Sequence, residues 1–517
     1  MRHRRHPALL FSLLVCLTLG ACGRTGPGPD GNGDVQRDAA APSRHLLIVL
    51  DGLRPDYVTP QVMPALHALG QRGVVMTRHH AVYPTVTRVN AASISTGAYP
   101  EAHGLMGNSV FFPAVDPGSF LGTSDRANLL QVEASGSPLL TATTLGEVLE
   151  TVGQRLLVAS SGSSGSSYLL NHTVAGGAIL HYEYGIPDTL HVEALARLGP
   201  VPDADTPNHA RNRWIVDAFL DVALPEVDPA VTVLWLSDPD TTAHQHGIGH
   251  PSTIEALFRL DAEIQRIQDG LAEVGLLDTT NIWVTSDHGF SEHTGSIDLV
   301  ALLAPFAGVL DDGSPRIVAG AGAIYVRDDD RETIAEIVAA LQAAEGVGAV
   351  FTDAASPGET EGWVPGTLSF DLARWKHERS AQILYSADWS NDVGDYGFPG
   401  TSAQEGVAGH GSSSPFDIQN TLVAAGPDLK AGVRIESPTG NVDFAPTFLH
   451  LLGVDVPSSM QGRVLREALR DDEGAAPLRA ETTTVTVETA DGSYTLTAVV
   501  SDADGRTYLD YTTVERR

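Results

Sequence analysis

The apolar residues of this chain fall into short runs that stop at acids. LLIVL, residues 46–50, is continuous and branched, the pattern of a strand buried on both faces, and it ends at Asp51-Gly52. VTVLWLS (231–237) leads into Asp238-Pro239-Asp240, and NIWVTS (281–286) leads into Asp287-His288-Gly289. Between these runs the apolar residues recur every three or four positions. Residues 63–72 read as a helix, and 252–274 set Ile254, Leu257, Leu260, Ile264, Ile267 and Leu271 along one helical face. Strand alternating with helix predicts an α/β fold with a mostly parallel sheet covered on both faces.

In such sheets ligands bind beyond the carboxyl ends of the strands, where Asp51, Asp240, Asp287 and His288 would emerge together. Taken singly, an Asp after a strand reads as a turn or helix cap, and Asp240 with His244 as a polar surface pair. Three buried strands ending in carboxylates at one edge need either a cation or a costly cluster of like charges.

Composition narrows the chemistry. Of 517 residues, 42% are hydrophobic and 19% charged, which supports a large core in one domain with insertions or in two or three domains. Sixty-four acids against 32 bases give a net charge of −32, which disfavours binding to a nucleic-acid scaffold. The two cysteines stand at positions 16 and 22, so no disulfide framework, cysteine metal site or cysteine nucleophile can lie beyond them. A metal in the body of the protein would be held by His and carboxylate. Lysine occurs only at 376 and 430.

Residues 1–21 combine a basic start, an apolar stretch too short for a lasting membrane span, and small residues, the anatomy of a secretion signal. Leu19-Gly20-Ala21-Cys22 resembles the bacterial lipobox, which implies Cys22 as a lipid anchor; an ordinary signal with an incidental cysteine is the alternative. Residues 22–43, rich in Gly, Pro, Asp and Arg, read as a flexible tether. No later apolar run is long enough to cross a membrane, so the expectation is an exported envelope lipoprotein, periplasmic or at the cell surface, that meets the membrane only through its N-terminal lipid.

The segment YPTVTRVNAASISTGAYPEAHGLMGNS, residues 83–109, carries P-T-x-T-x-x-N followed by T-G-x-Y-P-E-x-H-G. Further along stand Pro239-Asp240 with His244, Ser286-Asp287-His288-Gly289 and Gly409-His410-Gly411. In this order the motifs resemble the nucleotide pyrophosphatase/phosphodiesterase branch of the alkaline phosphatase superfamily, across roughly residues 44–465. The resemblance implies an αβα sandwich with a small inserted cap, and a small phosphate ester as substrate. It implies Thr87 as nucleophile and Asn108 as a ligand of a phosphoryl oxygen. It also implies two Zn2+ per chain, one held by Asp240, His244 and His410, the other by Asp51, Asp287 and His288; Mn2+ or Co2+ would suit the same N/O donors.

Metal coordination would make up for the absence of an obvious His or Lys base beside Thr87. A helix opening near Thr87 would aim backbone N–H groups at the phosphoryl oxygens. Where nucleotide-cleaving relatives often carry an aromatic residue after the nucleophile, this chain has Arg88, which could meet a charged substrate or pair with a neighbouring acid. Some relatives bind dianionic phosphate with a lysine and an arginine between the positions of Asn108 and Asp240; no lysine stands in that segment here, which favours diesters, although Arg88 or Arg155 could partly substitute. No cysteine or serine stands at the nucleophile position for formylglycine sulfatase chemistry. Tyr168, Tyr182 and Tyr184, after a Gly/Ser-rich run, are candidate pocket walls or plain loop residues.

Strand, amphipathic helix and strand at 322–328, 331–344 and 348–353 suggest the cap, and NVDFAPTFLHLLG (441–453) a helix capped by Asn441. The resulting division is a signal at 1–21, a tether at 22–43, core at 44–315, cap at 316–400, core again at 401–472, and a β extension at 473–517 with no role assigned. The leading expectation is an exported zinc-dependent phosphodiesterase or nucleotide pyrophosphatase. A phosphomonoesterase or phosphonate hydrolase of the same superfamily, or a binding lipoprotein with an inactive site, are the alternatives.

Overall fold

A computed structural model describes residues 43–295, 297–470, 478 and 480–517. The signal, Cys22 and the tether through residue 42 lie outside the described residues. A ten-stranded sheet forms the centre, and its strands are β1 (Arg44–Leu50), β2 (Val74–His80), β3 (Leu156–Ser160), β4 (Ala178–His181), β5 (Gly185–Ile186), β6 (Val231–Leu236), β7 (Thr280–Thr285), β8 (Gln419–Ala425), β9 (Val433–Ile435) and β10 (Thr439–Gly440). They lie in the order β9-β2-β8-β7-β1-β6-β3-β4-β5, with β10 beside β2. Pairing is parallel from β7 through β4; β8 runs antiparallel to both neighbours and β5 antiparallel to β4.

The alternation of side chains along each strand shows why both faces are covered. On β1, Leu47 and Val49 enter one core, which also holds Val233 and Trp235 of β6 and Trp283 of β7. Leu46, Ile48 and Leu50 enter the other, with Leu234 of β6 and Val284 of β7. Helix Pro251–Glu273 seals the second core with Leu257, Leu260, Ile264, Ile267 and Leu271, the face that the spacing predicts. Helices Thr87–Thr96 and Phe444–Leu451 cover the first, through Ala91, Ala92, Ile94, Phe444 and Phe448. The fold is therefore α/β with a large, mostly parallel sheet between helical layers.

Residues 317–387 build a second sheet of five strands against helix Arg331–Ala343, around Ile324, Ile337, Leu341 and Val350. Trp389–Val393 and Pro399–Ser402 leave that sheet and form a separate one of four strands, in which Trp389–Val393 pairs with Pro399–Ser402, that strand with Ser291–His293, and Ser291–His293 with Ala408–Gly409. Three antiparallel strands, Glu481–Glu488, Tyr494–Ala503 and Arg506–Arg516, follow. Asn441 does not cap the helix that follows it. Its side chain turns inward, donating to Asn90 Oδ1 and the Asp287 carbonyl, both at 2.9 Å, because a buried amide beneath the strand ends must satisfy its donors there. Among the described residues no helix is long and apolar enough to cross a membrane.

Candidate metal and catalytic site

Strands β6, β1 and β7 are neighbours in register, Leu50 opposite Leu236 and Val49 opposite Thr285, so their carboxyl ends finish side by side. The backbone N–H of Asp240 donates to the Asp51 carbonyl at 2.9 Å, which ties two of these ends together. Around them the side chains gather into two triads, Asp51 with Asp287 and His288, and Asp240 with His244 and His410. Within each triad the possible ligand atoms lie within 4.8 Å of one another. The first triad is wholly buried, whereas the His244 side chain of the second is 44% exposed. The rings of His288 and His410 stack with centroids 3.4 Å apart, so the triads adjoin.

Each carboxylate of the buried triad has one oxygen tied to protein and one left over. Asp51 Oδ2 accepts the Trp235 indole N–H at 2.9 Å, and Asp287 Oδ1 accepts the Gly52 N–H at 3.1 Å. Asp51 Oδ1, Asp287 Oδ2 and Asp240 Oδ1 are buried without a hydrogen-bond partner. All three histidines present Nε2 to these oxygens, at 3.0–3.6 Å. Their Nδ1 atoms lie 2.8–2.9 Å from carbonyl oxygens: His244 donates to Ala408, His288 to Gly289 and His410 to Thr85. A histidine whose Nδ1 carries the hydrogen meets a carboxylate through Nε2 either as an imidazolium or through a shared cation. Orphaned carboxylate oxygens facing such nitrogens, with no sulfur donor, fit a divalent ion of the zinc class.

The electrostatics reflect the same crowding. Burial, and then the charges of Asp287 and Asp240, push Asp51 well above the usual carboxylate range. Burial alone would also raise Asp240, but His244 and His410 hold it well below that range. Burial alone would lower His288, but Asp287, joined by Asp240 and the Gly289 carbonyl, raises it. Burial, then His288, lowers His410 to about 4. Three carboxylates share too little positive charge among the described side chains around them.

Thr87 opens helix Thr87–Thr96, buried, with its Oγ1 3.3 Å from His288 Nε2. Asn108 Oδ1 accepts the Arg88 N–H at 3.0 Å, capping this helix from another loop and leaving the Asn108 NH2 group as its remaining donor. A cavity opens beside Asn108 and His410. Arg88 is half-buried; its Nε is buried without a partner, and it forms no ion pair among the described residues. It lies in the field of Asp51, Asp240 and Asp287. Tyr168 is brought elsewhere: it is packed into the core with its hydroxyl donating to Glu133 at 3.1 Å and Arg126 over its ring. Tyr184 stacks on the same Arg126, and Tyr182 on Arg211. None of the three tyrosines lines the cavity beside Asn108.

Sequence reading missed the residues that aim the triads. Trp235 reads as strand core and is also the donor to Asp51. Thr85 accepts from His410 through its carbonyl, while its hydroxyl donates to the Ser412 carbonyl at 2.8 Å and accepts the Gly411 N–H at 3.1 Å. Asn90 closes the loop before Thr87, accepting from Val82 N–H at 2.7 Å and donating to the Val82 carbonyl at 3.1 Å. Two motif glycines have plain reasons. Gly52 turns β1 into the site at φ 72°, and a Cβ on Gly289 would stand 2.0 Å from the Phe416 carbonyl oxygen.

A family model described as type I phosphodiesterase / nucleotide pyrophosphatase matches residues 45–412, a span that contains Thr87, Asn108 and both triads. Ectonucleotide pyrophosphatase/phosphodiesterase family member 1 of Mus musculus is 25% identical over 426 residues, 81% of this chain and 41% of that protein. The Rattus norvegicus protein of the same name is 26% identical over 416 residues, 79% of this chain and 40% of the relative. Venom phosphodiesterase CdcPDE of Crotalus durissus collilineatus is 26% identical over 249 residues, 48% of this chain and 26% of that protein. The chain thus spans about two fifths of the length of the two mammalian relatives.

Proposed function

The chain belongs to the type I phosphodiesterase / nucleotide pyrophosphatase family, and from that premise we propose that it hydrolyses phosphodiester or phosphoanhydride bonds with Thr87 as the nucleophile. The observation that carries the reading is the Thr87 hydroxyl 3.3 Å from His288 Nε2, at the head of a helix and against the buried triad. Asp51, Asp287 and His288 would hold one divalent ion, and Asp240, His244 and His410 a second; zinc suits these donors, as would manganese or cobalt. Such ions, when bound, supply positive charge that lowers the pKa of a neighbouring hydroxyl and offsets charge on phosphoryl oxygens.

The Thr87 hydroxyl gives up its proton to solvent as Oγ1 attacks phosphorus, the P–O bond to the departing group breaks, that group takes a proton from water, and the phosphoryl group is held on threonine. Water then cleaves that ester, and the Thr87 hydroxyl is restored. The Asn108 NH2 group donates to a non-bridging oxygen, and the head of the Thr87–Thr96 helix adds its positive end. His288 and His410 keep their orientation through Gly289 and Thr85, which fixes the edge on which Thr87 acts.

Export supports the same picture: the N-terminal residues read as a lipoprotein signal with Cys22 as anchor, and the names of the mammalian relatives carry the prefix "ecto". Arg88, whose Nε is buried without a partner and which forms no ion pair among the described residues, favours a second reading, a monoesterase in which that arginine meets the extra charge of a dianionic phosphate. The test is the ratio of bis-p-nitrophenyl phosphate to p-nitrophenyl phosphate hydrolysis by metal-loaded protein. Preference for the diester is expected; preference for the monoester overturns the first reading in favour of the second.

A further inference from the structure

His410 sits in a stretch of chain with little stiffness of its own: Gly409 precedes it, and Gly411 follows at φ 113°. The direction of its ring is therefore set by what grips the chain on either side. Before it, Ala408–Gly409 pairs with Ser291–His293. After it, the grip on Ser413 comes from the second sheet and from the C-terminal strand Arg506–Arg516, 99 positions away in sequence.

The hydroxyls there form a chain with one direction. Ser386 Oγ donates to the Ala387 carbonyl at 2.9 Å and accepts both the Ser413 N–H at 2.9 Å and the Ser413 hydroxyl at 3.0 Å. A hydroxyl has one hydrogen, and that of Ser413 is already used, so Thr512 Oγ1, 2.6 Å away, is the donor to Ser413 Oγ. The Thr512 N–H donates to the Ser413 carbonyl at 3.1 Å, so two bonds join one strand residue to one loop residue. Ser386, Ser413 and Thr512 are each at most 2% exposed, which places these bonds away from bulk solvent. The strand is anchored on its own account: Tyr508 donates to Asp443 at 2.9 Å, and His80 Nε2 meets Asp510 at 2.8 Å. Thr512 is thus a fixed point against which the loop is held.

We propose that the C-terminal three-stranded sheet is part of the scaffold of the metal site, with Thr512 a positioning residue that acts through Ser413 on His410. This rests on the reading of His410 as a metal ligand and gives the sheet a role in it. The same loop offers the Ala408 carbonyl to His244 Nδ1 at 2.9 Å, so a displaced loop would disturb two of the three donors of the second triad. The buried triad takes no residue from this loop.

The test is titration of zinc on the full-length protein against a chromophoric chelator that resolves two ions, with urea unfolding of the same variants. Thr512→Val keeps the shape of the side chain and removes its hydroxyl. It should weaken one zinc by about threefold to tenfold, below the roughly 10–100-fold of a residue bonded directly to a ligand, and leave the other within about twofold. His410→Ala identifies the ion concerned, and the two variants should affect the same one. Ser413→Ala breaks the same bond from the loop side and should give the same loss, and Thr512→Ser should recover it. Tyr494→Phe removes a different tie of the same sheet, the bond to the Gly348 carbonyl at 2.7 Å, and should lower the urea midpoint without changing either zinc affinity. Unchanged zinc affinity in Thr512→Val or Ser413→Ala, equal weakening of both ions, a loss that Thr512→Ser does not recover, or the same weakening in Tyr494→Phe overturns the inference. Undiminished binding of both zinc ions by His410→Ala would strike the reading of His410 as a ligand instead.

Discussion

The carbonyl of Thr85 accepts the Nδ1–H of His410 at 2.8 Å, so the loop that presents Thr87 also sets the ring of a histidine 325 positions away in sequence. One threonine residue thereby fixes both the loop in front of Thr87, the proposed nucleophile, and the direction of His410 Nε2. Its hydroxyl makes the coupling stiffer by bonding to both Gly411 and Ser412.

Replacing Thr85 with alanine should keep the carbonyl bond but loosen the loop that carries His410. Outer partners of metal ligands typically contribute 10–100-fold in affinity or activity, and a loss in that range is expected. Zinc affinity measured against a chromophoric chelator is the direct readout, and Thr85→Ser should recover most of it. Unchanged zinc affinity in Thr85→Ala would mean that the hydroxyl bonds are incidental.

Trp235→Phe removes the indole donor from Asp51 Oδ2 and retains most of the buried ring. The variant should bind metal roughly tenfold more weakly. Its loss of stability should stay within about 1–3 kcal/mol, the cost of one buried unpaired acceptor. Parallel chelator titration and urea unfolding separate the two effects; a variant with wild-type metal affinity would contradict the assignment.

Gly289→Ala tests why glycine follows His288. The added methyl would collide with the Phe416 carbonyl at 2.0 Å and the Gln419 carbonyl at 2.7 Å. Backbone must move, and a cost of more than about 2 kcal/mol is expected. A urea midpoint equal to that of the wild type would show that the turn yields freely.

Four buried histidines away from the triads should make the fold acid-sensitive. Burial lowers His79 and His103 to about 3 and His45 and His181 to about 4. In the unfolded chain each titrates near 6.5, so below that pH the unfolded state takes up protons that the folded state refuses, and stability falls as pH drops from about 6.5 toward 4. At pH 5 the contribution is on the order of 2 kcal/mol for each histidine. Urea midpoints at pH 7.5 and 5.0 with a chelator present should show this fall, and His103→Gln should reduce it. A midpoint independent of pH over that range would contradict the burial account.

How much of this was legible in the sequence follows from where each residue stands. Asp51, Asp240, Asp287 and His288 could be placed because a buried strand has a recognisable end. His410, amid glycines and serines, became readable only through a resemblance of motifs. Trp235 was hidden because an indole in an apolar strand looks like core, which it also is. Thr85 was hidden because its decisive contact is made by a backbone carbonyl, which leaves no mark on residue type. Tyr168 and Asn441 misled for the opposite reason: their side-chain chemistry suggested a pocket wall and a helix cap, while tertiary packing drew one into the core with Glu133 and the other beneath the strand ends. Strand β2 carries His79 and His80, for which the sequence offers no reading. In the fold both are buried, His79 against Thr439 and Asn441, and His80 against Asp510.

The central claim is that Thr87 attacks phosphorus from a metal site that does not depend on its hydroxyl. The direct measurement is the rate of bis-p-nitrophenyl phosphate hydrolysis by Thr87→Ala, with metal content determined on the same sample by plasma mass spectrometry. The account predicts a fall of roughly 10³-fold or more with metal content unchanged. Turnover near the wild-type rate at equal metal content would contradict it.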